Sequence, residues 1–95
     1  MKTFYLIPTN GRKSFGYKCH VNQYTTDDGT TYSDLISYGK RVAHYNHNEN
    51  FVLVYGWFSA TTAAHINAFL DFYGYSPMTK QEMAGDLLRA KKVQK

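Results

Sequence analysis

The sequence predicts an α+β fold, and three observations carry that reading. Residues 14–22 alternate polar with apolar in the two-residue rhythm of a half-buried strand. A second apolar run, Phe51 to Trp57, leads directly into Ser59, a good helix N-cap, and no breaker follows until Gly74. The β-prone stretches all come first and the helical ones last, an order that favours segregated α+β over repeated βαβ units. The expectation is one domain over residues 1–95. It holds an antiparallel sheet of about four to five strands within residues 2–58, then helices near 60–73 and 79–92, the first packed on the sheet.

Taken in order, Lys2 to Ile7 reads as a short strand stopped by Pro8, with turn chemistry at Thr9-Asn10-Gly11. Phe15, Tyr17, Cys19 and Val21 then share one face of the next strand, which makes Cys19 a small hydrophobe of the core. The polar run Thr25 to Thr30 is a turn, after which Tyr32 to Tyr38 pairs back. Gly39-Lys40-Arg41 marks a break. Two further β-prone runs, Arg41–Tyr45 and Phe51–Trp57, flank the polar stretch Asn46–Asn50, the pattern of a hairpin. Phe51, Leu53, Tyr55 and Trp57 on one face, with Val52, Val54 and Phe58 on the other, suggest a central strand covered on both sides. Thr62, Ile66, Phe69, Leu70 and Tyr73 form the apolar stripe of the first helix. Thr79 and Glu82 form a capping box for the second, whose apolar side holds Met83, Leu87 and Ala90.

Composition narrows the function classes. The chain of 95 residues is 43% hydrophobic and 17% aromatic, so large rings can supply a core that its length alone would leave thin. A single cysteine excludes an intramolecular disulfide and fits a reducing compartment. No apolar run nears the roughly 20 residues that span a bilayer, and the N-terminal stretch is too short and alternating for a signal peptide. The expectation is a cytoplasmic protein without membrane contact. Of the net charge of +4, most sits in residues 75–95, which hold five Lys/Arg against two Asp/Glu. Arg89, Lys91, Lys92 and Lys95 would complement the dipole of the last helix or meet phosphates and acidic partner surfaces. With Lys40 and Arg41 they are the candidate partner-binding residues.

The four histidines invite catalytic and metal readings. His44 and His47 lie three apart across a strand end and its turn, with Glu49 the nearby carboxylate, and zinc wants three or four convergent ligands. A hairpin followed by a helix, with His44, His47, Asn48 and His65, matches the outline of a ββα metal nuclease, yet lacks the adjacent general base and ligand that such a site needs. His47 reads as a solvated turn residue whose removal leaves the fold unaffected. No G-x-S-x-G elbow activates Ser59. The remaining constellation is the strand-to-helix corner Ser59, Thr61, Thr62 and His65. There the histidine either pins the helix to a neighbouring strand or joins the hydroxyls in an anion pocket at the helix start. Neither catalytic nor metal residues are assigned, and no cofactor is expected.

Arg12-Lys13-Ser14-Phe15, then Leu35-Ile36-Ser37-Tyr38 with Val42-Ala43, and above all Ser59-x-Thr61-Thr62-x-x-His65-Ile66-x-x-Phe69-Leu70 resemble a family of small uncharacterised proteins of phages and mobile elements of Gram-positive bacteria. The resemblance covers about residues 10–74. It implies no activity or cofactor; it implies a context, in which small phage proteins bind and block a host machine such as a CRISPR nuclease or another defence protein. The expected function is therefore that of a non-enzymatic, anti-CRISPR-like inhibitor whose partner is a host protein or a protein–nucleic-acid complex in the bacterial cytoplasm. The alternatives are a basic nucleic-acid-binding accessory protein and, behind it, a metal-dependent nuclease.

Overall fold

The computed structural model describes residues 1–6 and 18–84, and residues 88–89 as backbone. The strands are β1 (Lys2–Phe4), β2 (Cys19–Thr25), β3 (Thr31–Ser37), β4 (Lys40–Asn46) and β5 (Phe51–Val54), followed by helices α1 (Ala60–Phe72) and α2 (Lys80–Ala84) and a two-residue strand β6 (Leu88–Arg89). All six strands pair antiparallel in chain order, a meander. The α+β order is as the sequence predicts, with α1 against the sheet. The expected stop at Pro8, the turn at 9–11 and the positions of Phe15 and Tyr17 lie outside the described residues.

Register explains which residues meet α1. Val21 sits opposite Leu35, Leu35 opposite Ala43, and Ala43 opposite Val54, so one face of four strands is a continuous apolar floor. These four are buried, as are Cys19 and Val52, and Ile66, Phe69 and Leu70 of α1 close the core from above. Burial pushes the Cys19 thiol up to about 11, which leaves it protonated and inert. The reverse face carries Asn22, Tyr24, Tyr32, Asp34, Ile36, Arg41, His44 and Leu53.

Two backbone devices shape the β3–β4 hairpin. Tyr38 and Gly39 both hold positive φ, 51° and 80°, the two-residue turn whose twist suits a hairpin. The break expected at Gly39-Lys40-Arg41 is thus narrower, and Lys40 and Arg41 begin β4. A bulge then shifts the register, since Leu35 faces Ala43 while Ile36 faces Arg41, leaving Val42 as the extra residue. Without it Arg41 would fall on the α1 side; with it Arg41 joins the reverse face.

α1 starts where Ser59 Oγ accepts a hydrogen bond from Thr62 N–H at 3.1 Å. It ends in a Schellman arrangement, with Tyr75 N–H on Leu70 C=O at 2.8 Å, Gly74 N–H on Asp71 C=O at 3.1 Å, and Gly74 at φ +80°. The Asn67 amide clamps the backbone of Met78 in both directions, at 2.8 and 3.2 Å, and so fastens the connection to α2. The Thr79–Glu82 capping box forms as its sequence predicts.

One expectation changes. The helix expected over 79–92 is described over Lys80–Ala84, and Leu88–Arg89 instead pair with β5, Arg89 opposite Leu53. Leu88 opposite Val54 extends a strand pairing that helix periodicity did not anticipate. In β5, Val52 and Val54 are buried, and Phe51 and Leu53 on the reverse face are partly buried. Truncation of Phe69 or Leu70 to Ala should cost about 3 kcal/mol, the range for a cavity in a packed core. Urea denaturation followed by circular dichroism measures it, and a loss comparable to that of an exposed substitution such as Asp71→Ala would contradict the placement of the core.

Candidate functional site

At the strand-to-helix corner, Ser37 Oγ lies 3.0 Å from Thr62 Oγ1 and 2.9 Å from His65 Nδ1. Ser37, Thr62 and His65 are all buried, His65 at 0% exposure. The histidine therefore pins α1 to the end of β3, and the solvent-open anion pocket weighed from the sequence is excluded there. Ser59 caps the helix, and Thr61 is half-buried beside it. Ser37→Ala withdraws the oxygen that Thr62 and His65 share, and should cost about 1–3 kcal/mol, the penalty for stranded buried polar groups. Thermal melting of that variant checks this.

A second polar cluster holds the other end of α1. Tyr73 OH donates to Ser33 Oγ at 2.8 Å, which leaves the serine hydrogen for His47 Nε2 at 2.7 Å. The His47 ring also packs 4.5 Å from Tyr45 and edge-on to Tyr73. The solvated turn residue expected at position 47 is instead a packed acceptor, because strand alternation carries it to the α1 side. Burial lowers its pKa below the ordinary 6.5. The unfolded chain then binds more protons just below pH 6.5, so this contribution to stability is full above that value and lost as pH falls through the folded pKa. Stability of wild type minus His47→Gln, measured from pH 8 to 5, should decline in that direction. A flat difference would contradict the buried neutral ring.

On the reverse face Asp34 collects Tyr24 OH at 3.0 Å, His44 Nδ1 at 2.5 Å and Arg41 at 3.7 Å. Tyr32 stacks on His44 at 4.9 Å and leans on Tyr24 at 5.6 Å. Burial, then the bond to Asp34, raises the Tyr24 pKa. His44 and His47 thus serve opposite faces of the sheet, and His65 lies beneath α1, so the three do not converge. Among the described residues no group of three His, Cys, Asp or Glu is placed to hold a metal ion.

The third constellation is the most exposed. Lys40 Nζ lies 4.9 Å over the Phe58 ring, Arg41 5.4 Å over Tyr55, and Lys80 Nζ 4.4 Å over Trp57. Such pairs occur about once per 70–80 residues, yet here three ring positions within residues 55–58 each carry a cation. The three rings are partly buried, Trp57 and Phe58 packing against the core, and the three cations are exposed. The bulge and tight turn of the β3–β4 hairpin deliver Lys40 and Arg41; the N-terminus of α2 delivers Lys80. Sequence reasoning found Lys40 and Arg41 and missed their ring partners and Lys80, since the pairings join residues 14 to 23 apart. Arg89 lies in β6 rather than on a helix, and Lys91, Lys92 and Lys95 lie outside the described residues.

The sequence model of a family of unknown function, DUF8033, matches residues 6–85. The chain belongs to that family. No curated protein and no solved structure matches it. The DUF8033 span takes in the Ser37–Thr62–His65 junction and all three cation–ring pairs, and ends before Arg89, Lys91, Lys92 and Lys95. The matched region therefore holds its own candidate surface, independent of the basic tail. No helix among the described residues is long and apolar enough to cross a membrane.

Proposed function

We propose that this chain is a small non-enzymatic accessory protein of phage type that binds and blocks a host macromolecule in the bacterial cytoplasm. A CRISPR nuclease or another defence protein is the class of target that the sequence resemblance implies. The observation that carries the binding role is the row of cation-capped rings, Tyr55, Trp57 and Phe58 with Arg41, Lys80 and Lys40. Tyr, Trp and Arg are the residue types that dominate binding hot spots: the rings offer large area with few rotamers to freeze, and the guanidinium adds a planar charge that stacks on them. The described polar clusters favour binding over turnover: buried Ser37 is engaged by Thr62 and His65, and buried Ser33 by His47 and Tyr73.

Affinity capture from nuclease-treated lysate of a bacterial host, followed by titration of the purified partner, tests the reading. The expected result is a stoichiometric complex that suppresses the partner's activity and is lost in Lys40→Glu/Arg41→Glu. A complex indifferent to that pair of substitutions, or substrate turnover by the chain itself, would contradict it.

A further inference from the structure

Among the described residues most of the charge is sorted along the sheet, Lys2 opposite Gln23 being a cation toward the acidic end. Asp27 and Asp28 occupy the β2–β3 turn and Glu49 the β4–β5 turn, two turns tied together by Thr31 N–H donating to Asn48 Oδ1 at 3.0 Å. Asp71 sits in the last turn of α1, which Tyr73 fastens to Ser33 near that end. At the opposite end lie Lys18, held beside Tyr38 through its backbone carbonyl, and Lys40, Arg41 and Lys80. Two acidic groups lie near these cations: Glu82, beside Lys80, is occupied by Thr79 N–H, and Asp34, 3.7 Å from Arg41, is largely buried and shared with Tyr24 and His44. The N-terminus of α1 also points to the basic end and has no acidic residue in its first turn to offset its dipole.

The basic end also carries aromatic rings. Besides Tyr55, Trp57 and Phe58 it carries Tyr38, 58% exposed and held at φ +51°, where an L-residue with a large ring is strained. Asn at that position would make the preferred Asn-Gly turn. Tyr is thus held there against local preference, and its ring is turned largely to solvent.

From the coincidence of three exposed cations with the exposed Tyr38 ring and the partly exposed Tyr55 and Trp57 rings at one end of the sheet, we infer that the end formed by Lys40, Arg41, Lys80, Tyr38, Tyr55 and Trp57 is a binding site for single-stranded nucleic acid. A single strand presents in each repeat a phosphate and an unpaired base with two π faces, which are the two features this surface can satisfy together. A duplex hides the base faces in its stack. An acidic protein segment would meet the cations and leave the rings unused. The field of the body orients the approach, since the acidic turns face away from an arriving polyanion. This inference stands apart from the blocking of a host protein, and each can fail alone.

Trp57 is the only tryptophan, so its emission reports on this site alone. The purified 95-residue chain is titrated with a fluorescein-labelled dT20 strand, with the dT20·dA20 duplex, and with polyglutamate. Binding is read by anisotropy with the labelled strand, and Trp57 quenching is followed with unlabelled copies of all three. The expected result is that dT20 quenches Trp57 and binds with an affinity falling steeply between 50 and 300 mM salt. Duplex and polyglutamate should leave Trp57 emission unchanged. Lys40→Glu/Arg41→Glu should weaken dT20 binding at least about tenfold, and Tyr38→Asn should weaken it while melting no lower than wild type. Absence of dT20 binding overturns the proposal. So does binding without Trp57 quenching, binding indifferent to all three substitutions, or polyglutamate quenching Trp57 as strongly as dT20.

Discussion

Everything at the exposed end of this molecule depends on one buried oxygen. Ser37 Oγ is shared by Thr62 and His65, and through it the last residue of β3 fixes the first two turns of α1. A helix resting on an apolar floor alone could slide, because hydrophobic contact has no direction. A hydrogen-bonded knot with no access to water cannot slide without stranding its polar groups. The position of Ser59 follows from it, and with Ser59 the course of the preceding segment, Tyr55 to Phe58. The Ser33–His47–Tyr73 cluster does the same at the other end of the helix. Two polar pins therefore set the helix angle, and the apolar stripe between them supplies the burial.

The β3–β4 hairpin converts that fixed frame into a surface. A regular ladder would send Arg41 to the side covered by α1, away from Asp34 and Tyr55. The bulge at Val42 turns it to the reverse face, over Tyr55 and beside Asp34. Lys40, one residue earlier, falls on the other side and meets Phe58. Consecutive cations thus straddle the segment that the Ser37 junction has already placed. Tyr55 N–H closes the arrangement by donating to Val42 C=O at 3.1 Å, so the bulged strand and the ring-bearing segment are directly bonded.

Most of the fold was legible because it is written in local rules. Ser59, Gly74, Thr79 and Glu82 act through hydrogen bonds spanning a few residues, and Val21, Phe69 and Leu70 declare themselves by period. What escaped the sequence depends on distant pairing. The helix predicted to residue 92 fails because Leu88 has a strand partner in Val54, and Leu88 carries no local mark of it. His47 looked solvated because Asn-rich turns usually are; only pairing Ser33 with Tyr45 reveals which face it shares. The motif corner was legible as a corner, while its centre, Ser37, lies 25 residues before Thr62 and was read merely as part of a strand. Lys40 and Arg41 stood out as charges, but the rings beneath them emerge only from the folded chain.

Resting cations on rings has a consequence for how such a surface would act. A free Lys or Arg side chain on a protein surface samples many rotamers, and ordering it on binding costs about 0.5–1.5 kcal/mol per side chain. Lys40, Arg41 and Lys80 are already drawn over Phe58, Tyr55 and Trp57, so part of that ordering is complete before any partner arrives. The rings in turn sit on a segment held by a helix cap and a bulged strand rather than on a loose loop. Preorganised in this way, a few residues can serve where the short chain has no room for a broad interface. The buried knot at Ser37 and the exposed cations are therefore two parts of one device: the first removes freedom from the backbone, and the second removes it from the side chains that the backbone presents.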